Sequence, residues 1–73
     1  MSDVLHDGIA AMLRDAAPGD LHWTVILDRA LREGLVPPSP DARNQVLHAL
    51  AEATRAGRIV KTSTGTYRAA GAD

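Results

Sequence analysis

Between residues 39 and 57, hydrophobic and polar positions follow a helical period. At 100° per residue, one side carries Val46, Leu47, Leu50, Ala53 and Thr54. The opposite side carries Asp41, Asn44, Gln45, His48, Glu52 and Arg55. Ser39 suits a helix N-cap, Pro40 suits the first helical position and Gly57 suits a left-handed helix end. The pattern predicts a helix over residues 40–56, the third of the chain, whose outward face is rich in hydrogen-bonding groups.

Two shorter amphipathic segments precede it. Over residues 3–16, the apolar side carries Leu5, Ile9, Met12, Leu13 and Ala16, and Pro18-Gly19 follows as a stop signal. Over residues 25–33, the apolar side carries Ile26, Leu27, Ala30 and Leu31. Thr24 is the expected N-cap of this second helix, and Gly34 is its expected end. Leu35 should fold back on the last turn, and Val36-Pro37-Pro38 should form a stiff connector to the third helix.

The remaining segments have strand character. Residues 58–62 are rich in β-branched side chains, and residues 66–69 again read as a strand. The intervening Ser63-Thr64-Gly65 predicts a hairpin over residues 58–69, with Gly65 at a positive φ. Leu21-His22-Trp23 is a short extended segment that can pair with the hairpin as a third strand. The order predicts an α+β winged helix-turn-helix domain over residues 1–73, with a frayed tail at residues 70–73.

Composition restricts the possibilities further. At 73 residues the chain has room for one small domain, and without cysteine it has neither disulfides nor thiolate metal ligands. It contains no apolar stretch long enough for a membrane span, so a cytoplasmic location is expected. Residues 1–40 carry three Arg and six acidic groups, a charge of −3, whereas residues 41–73 carry five Lys or Arg and three acidic groups, a charge of +2. The second half is therefore the half that could approach DNA.

Particular residues also resemble a known family. The similarity runs over roughly residues 21–69, and its most telling positions are Leu21, Ile26, Ala30, Gly34, Leu35, Pro40, Leu50, Gly65 and Tyr67. These residues resemble the HARE helix-turn-helix domain, a branch of the winged helices. The resemblance implies DNA binding or attachment to transcription, chromatin or DNA-modification machinery. The chain departs from the family pattern at Pro38, where a basic residue is usual, and at Ala51, where an aromatic is usual.

A DNA-binding winged helix would use two sets of side chains. Asn44, Gln45 and His48 would face the major groove, where Asn and Gln can pair with adenine. Phosphate contacts would come from Arg29, Arg32, Arg55, Lys61, Ser63, Thr64 and Arg68. Arg43 is expected toward the core side of the helix, where it could pair with Asp28 or Glu33. Such a protein would be a nucleoid-associated transcriptional regulator.

The alternative is a winged-helix module that binds another protein within a larger assembly. Asp41 and Glu52 lie on the proposed reading face, where phosphates would repel them, and a face of mixed charge is ordinary for a solvated helix. The small core also suggests a homodimer, with the first helix as the free surface. Both alternatives use the same fold, so the sequence alone leaves them open.

Other chemistry is not indicated. His6, His22 and His48 lie on separate elements without metal-ligand spacing, and His6 should be a half-buried residue at the edge of the first helix. The chain contains no carboxylate pair, phosphate-binding glycine loop or nucleophile motif, so neither enzymatic activity nor a cofactor nor a small-molecule substrate is expected. Trp23 and Tyr67, the two aromatic residues, should pack on neighbouring strands.

Overall fold

The structure is a computed structural model. It describes the backbone of residues 3–70 and the side chains of residues 4–70. Its elements are α1 (Asp3–Ala16), β1 (Leu21–His22), α2 (Trp23–Arg32), α3 (Ala42–Arg55), β2 (Ile59–Ser63) and β3 (Thr66–Ala69). Three helices and a three-stranded antiparallel sheet confirm the predicted α+β class. Of the predicted frayed tail, residues 71–73 lie outside the described residues.

The second helix begins earlier than predicted, because a different residue caps it. His22 is the N-cap, and its Nδ1 accepts a hydrogen bond from the Thr24 N–H at 3.3 Å. Trp23 is already helical, and its N–H donates to the Gly65 carbonyl at 2.8 Å. The predictions of Thr24 as the cap and of Trp23 on a strand are therefore wrong. The two aromatics lie on a helix and on a strand, since Tyr67 belongs to β3.

The third helix also begins differently. Ser39 and Pro40 belong to a turn before α3 rather than to its cap and first position, and the cap position is Asp41, whose side chain makes no capping bond. Ser39 still helps the chain enter the helix. Its Oγ accepts from the Asp41 N–H at 3.3 Å, and its carbonyl accepts from the Ala42 N–H at 3.1 Å. The helix therefore covers residues 42–55, within the predicted 40–56.

Both α2 and α3 end in the same left-handed turn. Gly34 has φ +72° and Gly57 has φ +80°, a conformation that costs other residues energy. The N–H of Leu35 then donates to the Ala30 carbonyl, and the N–H of Arg58 donates to the Ala53 carbonyl, each at 2.9 Å. These bonds satisfy carbonyls that the helix ends leave without partners. The predicted helix-ending roles of the two glycines and the fold-back of Leu35 are confirmed.

The sheet has the order β1-β3-β2. Leu21 pairs with Tyr67, and Val60 pairs with Arg68, so the short first strand adds to the hairpin as predicted. The register shifts between Lys61 and Ser63, which leaves an extra residue in β2 as a bulge. Residues 63–65, which we call the hairpin tip, lie next to the start of α2, where the Trp23 backbone N–H donates to the Gly65 carbonyl.

The core lies between the three helices and the inner face of the sheet. Its most enclosed side chains are Ile9, Met12, Leu13, Ile26, Val36, Val46, Leu50 and Ile59. Leu31, predicted to point inward, is 36% exposed, because it lies at the border of the apolar side of α2. Leu35 packs against α1 at Gly8, where a Cβ would overlap the leucine side chain. No helix within residues 3–70 is long and apolar enough to cross a membrane.

Candidate nucleic-acid interface

The outward face of α3 is open to solvent. Val46, Leu50 and Ala53 are buried on its inner side, and they are joined by Ala42 and Ala49, which the helical wheel did not assign to the core. Asn44, Gln45 and His48 are all exposed, and His48 exposes 75% of its side chain. The three candidate base-reading residues thus lie together on one side of a single helix. No element within residues 3–70 covers them.

The edge of this face nearest α1 forms a shallow cleft of about 190 Å³. Its lining residues are Leu5, His6, Gln45, His48 and Ala49. His6 is half-buried there, as predicted from its position on α1. The cleft is smaller than the roughly 300–1,000 Å³ typical of small-molecule sites. It gives Gln45 and His48 an apolar flank on the side of α1, while their polar groups remain exposed.

The C-terminal half of the α3 face has balanced charge. Glu52 lies between two partners, with its Oε2 3.6 Å from His48 Nε2 and 3.7 Å from Arg55 Nη1. All three side chains are well exposed, so these contacts contribute little stability. Their importance is electrostatic. Arg55, a candidate phosphate contact, already has a carboxylate beside it.

The two candidate arginines of α2 are also paired within the chain. Arg29 Nη2 lies 3.3 Å from Glu33 Oε2, and Arg32 pairs with Asp28. Both pairs join residues four positions apart on one helix, a spacing that favours such contacts. They lie at the surface, where water and salt weaken them. An approaching phosphate could therefore compete for either guanidinium, although it would have to displace a carboxylate.

The candidate residues of the hairpin are exposed but do not all face the same way. Lys61 pairs in register with Tyr67, so it lies on the core-facing side of the sheet, at its open edge. Arg68 pairs with Val60, so it lies on the opposite side. Ser63 and Thr64 lie at the tip. The structure brings Lys61 to the side of the helices but turns Arg68 away from it.

The base of the tip is tied to the loop after α1. The Thr62 hydroxyl donates to Asp20 Oδ2 at 3.0 Å, and Thr62 is the extra residue of the bulge. A Cβ at Gly65 would lie only 3.0 Å from His22 Nε2 and from Trp23 Cδ1. The tip therefore lies close against the residues that begin α2.

The predicted direction of Arg43 toward the core is wrong. Arg43 is exposed rather than directed to the core, and its guanidinium carbon lies 5.5 Å from the centre of the Trp23 ring. The expected partners Asp28 and Glu33 are engaged by Arg32 and Arg29 instead. The contact with Trp23 depends on the placement of α2 against α3, which residue spacing along one helix does not reveal. In the sequence, the only indication of this contact was a single tryptophan close to a predicted helix start.

No three His, Asp or Glu side chains within the described part of the chain come together as a possible metal site. The arrangement that remains is a polar helix face, a hairpin tip and an arginine over an indole at the junction between them. Comparisons with protein-family models, with curated proteins and with solved structures found no match.

Proposed function

We propose that this protein binds double-stranded DNA as a small winged helix-turn-helix transcriptional regulator. The observation that carries the proposal is the exposed row of Asn44, Gln45 and His48 on α3. The major groove is about 12 Å wide and admits one helix, and amide side chains can make paired hydrogen bonds to adenine there. In this arrangement α3 reads base edges and the hairpin is the wing.

Contacts with the DNA backbone would come from the hairpin and from the start of α3. Lys61 and the hydroxyls of Ser63 and Thr64 are exposed on the hairpin, and Arg43 is exposed at the start of α3. Neither Lys61 nor Arg43 forms an ion pair with another residue of the range 4–70. Their charges are thus available to phosphates. Arg29, Arg32 and Arg55 would contact the DNA backbone only if a phosphate replaced the carboxylate that each now pairs with.

Salt dependence tests this proposal. We expect a labelled short duplex to bind at low salt and to lose affinity linearly in a plot of log K against log salt concentration, because bound Lys and Arg release counterions. With Arg43, Lys61 and one or two exchanged arginines in contact, three or four contacts in all, the slope should be about −3 to −4. Fluorescence anisotropy measures it. A protein that leaves the duplex free at low salt does not have this function.

Glu52 provides a charge test of the orientation of α3. Replacing it with glutamine removes a carboxylate next to His48 and Arg55, so phosphates near α3 meet less repulsion and Arg55 is released. We expect duplex affinity to rise about fivefold, since unit charges about 4 Å apart in water interact by about 1 kcal/mol. Asp15→Asn makes the same charge change on the exposed side of α1 and should leave affinity unchanged. Equal effects of the two variants would mean that α3 does not face the DNA.

Protein binding is the second candidate, and exposed apolar side chains favour it. Val4 on α1 is 66% exposed, and Val25 on α2 is 44% exposed. A second copy docking on α1 would cover Val4 and give the homodimer that DNA-reading domains of this kind commonly form. Sedimentation at high concentration tests for that dimer. A monomer that binds no duplex would leave a different protein as the partner.

A further inference from the structure

Trp23 connects the three parts of the proposed DNA-binding surface. Its backbone N–H donates to the carbonyl of Gly65 in the hairpin tip, and Trp23 is the first residue of α2. Above its ring lies the guanidinium of Arg43, from the first turn of α3. A cation at this distance from an indole is attracted by the ring electrons. The side chain of Arg43 is thus held at the point where α2, α3 and the hairpin meet.

Arg43 also differs from most arginines of the chain in its electrostatic surroundings. Arg29, Arg32, Arg55 and Arg58 each pair with a carboxylate. Over residues 4–70, Arg43 has none, and Asp41, two positions earlier, does not pair with it. Its contact is with the Trp23 ring, which attracts the cation but carries no charge and so does not neutralise it. The positive charge of Arg43 therefore remains at an exposed position beside the Trp23 ring.

We infer that Arg43, supported by the Trp23 ring, is a binding site for a backbone phosphate of the duplex. This inference rests on the proposed DNA-binding function and assigns the Trp23 ring as the support of the Arg43 contact, which the sequence did not indicate. The planar guanidinium can stack on the indole while its N–H groups donate to phosphate oxygens in pairs. Because the ring already restricts the side chain, less conformational entropy is lost on binding. The hydroxyls of Ser63 and Thr64 lie on the adjoining tip, where they can extend the contact along the backbone.

The contact with Trp23 can be tested without DNA. Trp23 is the only tryptophan, so its fluorescence reports this position alone. Arg43→Ala should change the emission of the free protein. Arg14→Ala is the matched control, because Arg14 is exposed in the last turn of α1 and pairs with no carboxylate of residues 4–70. It should leave the emission unchanged. Identical spectra for wild type and Arg43→Ala would overturn the inference.

The phosphate contact is tested by duplex binding at several salt concentrations, with circular dichroism showing that each variant is folded. Arg43→Ala should weaken binding about fivefold to tenfold at low salt and reduce the salt slope by about 0.9, the value for one lost phosphate contact. The loss should be equal for different duplex sequences. Arg43→Lys should restore the slope, because it keeps the charge, and recover part of the affinity. Arg14→Ala should match wild type.

The outcomes separate the inference from the function on which it rests. If wild type binds the duplex and Arg43→Ala keeps the wild-type slope, DNA binding stands and the Arg43 site is wrong. If Arg43→Ala weakens binding to one duplex sequence only, Arg43 contacts a base, and the phosphate assignment is also wrong. If wild type binds no duplex at low salt, the function and the inference fall together, whatever the fluorescence shows.

Discussion

Replacing Gln45 and His48 together by alanine should remove most of the sequence discrimination while leaving the protein folded. Both side chains are exposed on α3, and surface substitutions of this kind usually change stability by less than about 0.5 kcal/mol. A good base contact contributes about 1–3 kcal/mol of discrimination. Losing two should therefore reduce the preference for the best duplex over a scrambled one by about a hundredfold.

The measurement begins with selection of a preferred duplex from a randomised pool by the wild-type protein. Competition binding against a scrambled duplex then gives the preference of each variant. Arg43→Ala serves as the comparison, because the loss of a phosphate contact should weaken both duplexes alike. A double variant that still prefers the selected duplex by the wild-type ratio would show that α3 does not read bases through these residues.

Leu50→Ala should unfold most of the protein at ambient temperature. Leu50 is fully buried on the inner side of α3, within the core that α3 shares with α1, α2 and the sheet. Truncating a buried leucine costs about 2–5 kcal/mol, because apolar contacts are lost and a cavity remains. A core of this size supplies only about 3–5 kcal/mol of net stability. The substitution thus removes most of what holds the domain together.

Urea unfolding followed by Trp23 fluorescence and circular dichroism measures this effect. Leu31→Ala is the matched control, since it truncates the same residue type at a position that is 36% exposed on α2. It should cost about 1–2 kcal/mol, because the side chain is only partly buried and its removal leaves no enclosed cavity. Similar losses for the two variants would contradict the placement of Leu50 at the centre of the core.

The helical periods and the glycines were sufficient to predict the main elements. Apolar spacing placed α1 at residues 3–16, and Gly34 and Gly57 marked two helix ends that depend only on local backbone geometry. The starts of α2 and α3 were predicted less well. The backbone N–H of Trp23 donates to the carbonyl of Gly65, a residue more than forty positions away. The end of β1 and the start of α2 therefore depend on the position of the hairpin. The His22 cap is local, but the bond to Gly65 cannot be predicted from the sequence around Trp23.

The candidate site shows the same division. The outward direction of Asn44 and His48 followed from the helical wheel, because the buried side of α3 is well marked. The pairing of Arg32 with Asp28 could have been predicted from their four-residue spacing, since such pairs form within one helix. By contrast, the contact of the Arg43 guanidinium with the Trp23 ring requires the packing of one helix on another. The opposite directions of Lys61 and Arg68 require the strand register, which the bulge changes.

The central claim is that the polar face of α3 and the hairpin tip contact the same DNA. Amide shift mapping of labelled protein with a short duplex tests it most directly. We predict that at low salt the largest shifts fall on Asn44, Gln45 and His48 and on residues 63–65, and that added salt reverses them. Shifts confined to α1, or no shifts at low salt, would contradict the claim.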